Sequence, residues 1–170
     1  MEERIRAAVL TISTRSSAGE MKDTSGPALR GLAEREHWDV VYYNVIPDKK
    51  DLIASELAKI CDEGAADVVF TLGGTGLAPS DVTPEATEMV IEQSVPGISE
   101  TIRMNSLKKT NRAMLSRGVS GVRGNTLIIN MPGSEKAVKE SFEIVQPVIG
   151  HAVELIKGKV KDCGRTEEGH

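Results

Sequence analysis

The sequence predicts an α/β fold, a mostly parallel twisted sheet with helices on both faces. Strand-like segments at residues 5–12, 39–46, 67–72 and 125–131 are separated by helical patterns, an alternation that implies parallel pairing through right-handed crossovers. The first of them, "IRAAVLTI", is a nearly continuous apolar run, as expected for a strand covered on both faces. The 170 residues suffice for one domain with a sizeable core, and no repeat or low-complexity linker divides them.

Each element has its own signal. The stretch "STRSSAGEMKDTSG" at 13–26 is polar and reads as a loop. Residues 27–37 read as a helix, with Pro27 near its first turn and Asp23, Thr24 or Ser25 available as caps. "DVVYYNVI" at 39–46 is the second strand. In the helix over 48–63, Leu52, Ile53, Leu57, Ile60 and Cys61 share one face, and Gly64 can end it. "DVVFTL" at 67–72 is the third strand. Thr83 and Pro84 open a helix running to about Gln93, and another follows from Gly97 to about Lys109. "GVSGVRG" at 118–124 reads as a short strand or hairpin edge, and "NTLIINM" at 125–131 as a strand. A long helix spans 134–158, with an interruption allowed at Pro147. The final "CGRTEEGH" is polar, so residues 161–170 read as a tail after a domain at 1–160.

Composition narrows the function. Aromatic residues make up 3% and the net charge is -4, which argues against base-stacking nucleic-acid binders and against a polyanion partner. No apolar run is long enough to span a membrane, and "MEERIRAAVL" is too short for a signal peptide, so a cytoplasmic location is expected. Cys61 and Cys163 lack neighbours at metal spacing, and Cys61 reads as a buried thiol. His37, His151 and His170 are not close to a plausible nucleophile, which leaves a Ser–His–Asp hydrolase without support. Met89, Met104 and Met114 read as packing residues.

In an open parallel sheet the ligand sits beyond the C-terminal strand ends. Those ends read "TISTRS", "VIPD", "TLGGTG" and "INMPGS", all rich in small, polar or turn-forming residues. Gly73, Gly74 and Gly76 permit positive φ and close approach of a ligand to backbone N–H groups, and Thr75 adds a hydroxyl. A tight strand-to-helix turn is the alternative. Asp81 stands beside this anion nest, where a carboxylate is repelled by an anion unless a cation lies between them; its other role is a loop or helix cap. Asp48 reads as an N-cap. If the third strand adjoins the second, however, Asp48 and Asp81 share one sheet edge and could hold Mg²⁺. Ser134 at the second glycine turn reads as an N-cap or a ligand contact. Arg117 or Arg123 could clamp a phosphate, or either could be a solvated charge.

Taken together, "GGTGLAPSDVTPEAT", "LSRGVSGVRGNTLIINMPGS", "IPD" and "DTSGPAL" resemble the molybdenum-cofactor biosynthesis proteins of the molybdopterin adenylyltransferase type. That family includes bacterial Mog and MoaB proteins and the corresponding domains of plant Cnx proteins and gephyrin. The resemblance covers roughly residues 5–157, with four separated motifs in the family's order. It implies a three-layer α/β domain, usually a homotrimer, with a hexamer as the alternative. It implies that the terminal phosphate of molybdopterin attacks the α-phosphorus of Mg·ATP, giving adenylylated molybdopterin and pyrophosphate, with a transient molybdate-insertion partner receiving the product. By the same resemblance, Asp48 and Asp81 are the catalytic and Mg²⁺-binding carboxylates. Gly73, Gly74, Thr75 and Gly76 form the active-site glycine loop, and Asn130, Pro132, Gly133 and Ser134 the second one. Ser106 and Ser116 lie near the pterin, Asp23, Ser25 and Gly26 shape the pocket, and Ser13 and Arg15 fall in the first loop. The rival readings are a molybdopterin carrier that does not turn over ATP, a structural trimer that recruits the insertion enzyme, and a generic phosphotransferase. The last would lack a P-loop lysine and a kinase motif set.

Overall fold

A computed structural model describes residues 3–159. The proposed tail at 161–170, with Cys163 and His170, lies outside the described residues. The strands are β1 (Arg6–Ile12), β2 (Asp39–Ile46), β3 (Val68–Leu72), β4 (Gln93–Ser94), β5 (Ser120–Arg123) and β6 (Thr126–Met131). The helices are α1 (Thr14–Ser17), α2 (Ser25–Arg35), α3 (Lys50–Asp62), α4 (Thr83–Val90), α5 (Pro96–Leu107) and α6 (Glu135–Ile156), with a 3-10 helix at Asn111–Leu115.

The strands form one sheet in the order β2-β1-β3-β6-β5-β4. The first four are parallel, and β5 and β4 extend the edge antiparallel. Side chains alternate faces along each strand. Ala7, Val9, Val68, Phe70, Leu127 and Ile129 pack on one side with α2, α5 and α6, around a cluster of Trp38, Phe70 and Phe142. Ala8, Leu10, Val69 and Ile128 pack on the other side under α3 and α4. Apolar residues on both faces of the central strands therefore give three layers, as the sequence predicts. No helix among the described residues is long and apolar enough to cross a membrane.

Several expectations change. β1 lies between β2 and β3, so the third strand does not adjoin the second. Helix α4 stops at Val90, because the chain turns into the two-residue strand β4, too short to show an alternating pattern. The loop at 13–26 holds a single helical turn, α1, capped by the Ser13 side chain. Helix α2 begins two residues early, and Asp23 rather than its N-cap residue Thr24 supplies the side-chain bond, accepting from Gly26 N at 3.1 Å. Helix α6 runs through Pro147 unbroken. Leu52 points outward from α3, while Ile53, Leu57, Ile60 and Cys61 are buried. Burial pushes the Cys61 thiol up to about 11, so it stays protonated. Met89, Met104 and Met114 are 58%, 68% and 64% exposed rather than packed, because among the described residues their side chains lie on the outward sides of their helical turns.

Candidate active site

The chain leaves β1 toward β2 on one side and returns to β3 on the other. The connections diverge at the carboxyl ends of β1 and β3, and such a switch point opens a crevice in a parallel sheet. A cleft of about 450 Å³ lies there. Ile12 and Ser13 reach it from β1, Asp48 from the end of β2, Gly73 and Gly74 from β3, and Gly133 and Ser134 from β6. Asp23, Ser25 and Asp81 complete its polar wall. Asp48 and Asp81 thus share the cleft although β1 separates their strands, because the loops after β2 and β3 both fold over the end of β1.

Both glycines of β3's turn are required by geometry. Gly73 has φ 107° and Gly74 φ 69°. A Cβ on Gly73 would lie 2.5 Å from the Ile12 carbonyl oxygen, and one on Gly74 would collide with the Thr83 hydroxyl. The Gly73 N–H donates to Met131 O at 3.0 Å, which ties the turn to β6 and removes that amide from any ligand. Gly133 packs directly on Gly73. Ser25 Oγ donates to Gly133 O at 2.5 Å, which closes the seam between the two glycine turns.

Three carboxylates are held differently. Asp48 Oδ2 accepts from Thr14 N at 2.9 Å and Thr14 Oγ1 at 3.1 Å, so it secures the loop after β1 instead of capping α3. Its Oδ1 is turned toward Gly74. Asp81 Oδ2 accepts from Ala78 N at 3.0 Å, a tight-turn bond. Asp23 accepts from Thr11 Oγ1 at 2.8 Å and from the Tyr43 hydroxyl. Burial, with the Asp23 carboxylate beside it, pushes Tyr43 up to about 12, so its hydroxyl remains a donor at neutral pH.

A second cleft of about 280 Å³ opens on the other side of the glycine turns. Thr75, Gly76 and Pro132, each next in the chain to a glycine of the first cleft or one residue beyond, line it, together with Ser106 and Ser116. Arg103 and Arg112 also line it, and Arg103 Nη1 donates to Gly118 O at 2.7 Å.

Of the site residues that the family resemblance names, nine line the first cleft and five the second. Three line neither. Arg15 is exposed on α1. Gly26 sits under Asp23 and Tyr43, where any side chain would collide, so it sets the Asp23 position from behind. Asn130 is buried, donating to Thr71 Oγ1 at 2.8 Å and Thr87 Oγ1 at 3.0 Å and accepting from Val119 N at 3.1 Å. Its motif position adjoins the site, but its side chain points into the layer under α4. Arg123 is engaged at the opposite end of β6, with Asp62 and Val90 O. Sequence reading missed Arg103, Arg112 and Thr14, which carry no spacing signal and are recognised only by where the fold puts them.

The family described as "probable molybdopterin binding domain" matches residues 8–151. The chain is 49% identical over 165 residues to the molybdenum cofactor synthesis protein cinnamon of Drosophila melanogaster, covering 96% of this chain and 28% of that protein's length. It is 43% identical to a molybdopterin adenylyltransferase of Helicobacter pylori, covering 92% of this chain and 90% of the relative. Its fold superposes with a TM-score of 0.85 on the molybdopterin biosynthesis enzyme MoaB of Thermus thermophilus, at 44% identity, covering 91% of this chain and 97% of that one.

Proposed function

The chain belongs to the molybdopterin-binding domain family, and on that premise we propose that it is a molybdopterin adenylyltransferase. It transfers AMP from ATP to the terminal phosphate of molybdopterin in molybdenum or tungsten cofactor biosynthesis. A phosphate oxygen attacks the α-phosphorus, the bond to the bridging oxygen breaks, and pyrophosphate leaves. The observation that carries the reading is two clefts on either side of the glycine turns, with Asp48 and Asp81 in one and Ser106, Ser116, Arg103 and Arg112 in the other. The first takes the nucleotide and the second the pterin. The reacting groups then meet over the glycine turns, where proximity and orientation contribute most of the acceleration.

The carboxylates fit a magnesium ion. Among the described residues no group of three or more Asp, Glu, His or Cys is placed to hold a metal, whereas Asp48 and Asp81 each keep one oxygen outside the bonds to Thr14 and Ala78. Two carboxylates completed by phosphate oxygens and water are the usual setting for Mg²⁺ rather than for zinc. When bound, the ion neutralises charge on the triphosphate. The protein's own part is to orient. Thr14 holds Asp48, the Ala78 turn holds Asp81, and the N-terminus of α6 at Ser134 presents a positive dipole end to the first cleft. Arg103 and Arg112 offer the second cleft donors for a pterin phosphate, and Glu140 on the same wall is paired with Lys109.

Residues 1–160 as the molybdopterin-binding unit, assembly as a homotrimer, a cytoplasmic location and hand-over to a molybdate-insertion partner belong to the same proposal. Pyrophosphate release is measured with purified protein, ATP, Mg²⁺ and fresh molybdopterin, omitting each in turn. Release that needs all three, with adenylylated pterin found by mass spectrometry, is the expected result. Pterin binding without release would replace the reading with that of a carrier.

A further inference from the structure

The strip of chain between the two clefts is held by one side chain that lines neither of them. Arg117 follows Ser116, and its backbone N–H donates to Thr75 O at 2.8 Å. Its guanidinium donates from Nε to Gly76 O at 2.8 Å and from Nη2 to Asp81 O at 2.8 Å. Nη1 pairs with Glu85 in the first turn of α4, and that bond holds the Glu85 carboxyl below its usual range. One planar fork therefore grips both ends of the loop 76–81 and the helix that follows it. Between those ends, residues 77–80 are exposed. Within the loop the Asp81 carboxylate is itself engaged, accepting from Ala78 N. The placement of that carboxylate in the first cleft thus depends on the loop's conformation, and the loop's ends depend on Arg117.

We propose that Arg117 is a positioning residue for the transfer, fixing Asp81 in the nucleotide cleft from the segment that forms the pterin cleft. The inference deepens the adenylyltransferase reading and rests on it. The two carbonyl bonds and one carboxylate bond of Arg117 use all three nitrogens of the planar guanidinium, a pattern that the point charge of a lysine does not reproduce.

The test compares Arg117→Gln and Arg117→Lys with Arg123→Gln. The last removes a partly buried arginine that pairs with Asp62 at the opposite end of β6. Turnover, pterin KM, Mg·ATP affinity by calorimetry and amide hydrogen exchange over residues 76–82 are measured for each. Arg117→Gln is expected to lower kcat by about 100-fold while the pterin KM moves by less than about threefold. Exchange should accelerate over 76–82 with β1, β3 and β6 still protected. Arg117→Lys should recover only part of the loss, and Arg123→Gln should match the wild type in turnover. Wild-type kcat in Arg117→Gln, or exchange that rises across the whole sheet, would overturn the proposal. If the wild-type protein forms no adenylylated product, the adenylyltransferase reading fails, and exchange and Mg·ATP affinity decide the role of Arg117. Faster exchange confined to 76–82 together with weaker Mg·ATP binding supports it, and unchanged exchange there rejects it.

Discussion

Gly74 combines a φ of 69° with a close approach to the buried Thr83 hydroxyl, and both disfavour any side chain. Gly74→Ala is expected to cost about 2 kcal/mol, the left-handed penalty plus local overpacking, measured by urea unfolding. Stability equal to wild type would mean that the turn relaxes freely. For Asp48→Asn and Asp81→Asn, turnover should fall by about 100-fold or more while the pterin dissociation constant stays within about threefold. Equal losses in binding and turnover would place the carboxylates in the wrong cleft. Residue types at loop positions were legible in the sequence where a motif named them, as for Asp48, Asp81 and the glycines. Asn130 was not, because a motif position does not say which way a side chain points. In β6 its neighbours Ile129 and Met131 face one layer, so Asn130 faces the other, away from both clefts.

Helix α6 carries Pro147 without a break. The proline is exposed, and Phe142, Val145, Ile149 and Val153 bury the opposite side against the sheet, so packing holds the helix across the missing N–H. Asn130 binds elements together instead. It joins β6 to β3 through Thr71, to α4 through Thr87, and to the segment entering β5 through Val119. Asn130→Ala leaves these polar groups without that partner and should cost about 2–4 kcal/mol in urea unfolding. A loss below about 0.5 kcal/mol would show that water replaces it. Elements with a long apolar or periodic signal, such as β1, α3 and α6, were readable within a few residues. Strand β4 was not, since two residues carry no period and it forms only by pairing with β5.

Asp67 closes the end of the sheet opposite the clefts. It is 1% exposed, accepts from Arg6 N at 2.8 Å and Arg6 Nη2 at 2.9 Å, and pairs with Lys157 at 2.9 Å. Burial pushes its pKa up, but the Arg6 bonds and then Lys157 outweigh it, so the carboxyl titrates below its ordinary value. A folded pKa below the unfolded one means that the stabilisation is full above the unfolded value of about 3.9 and is lost as pH falls through the folded pKa. Asp67→Asn should therefore lower stability at pH 7 by about 2–4 kcal/mol and reduce the dependence of stability on pH below about 4. Urea titrations at pH 7 and in acid check both parts. An unchanged acid dependence would move that role to other carboxylates.

Local pattern alone determined the order and type of most elements, because helix and strand periods and turn residues act over a few positions. The same local motifs, in their order, determined the family resemblance and most of the residues at the strand ends. Only the tertiary structure decided that β1 lies between β2 and β3, that the strand-end loops divide into two clefts on either side of the glycine turns, and that Arg117 grips a loop instead of a phosphate. Strand order and side-chain partners come from contacts between segments tens of residues apart. Their free energy depends on which faces are buried together, and no window of sequence contains that information.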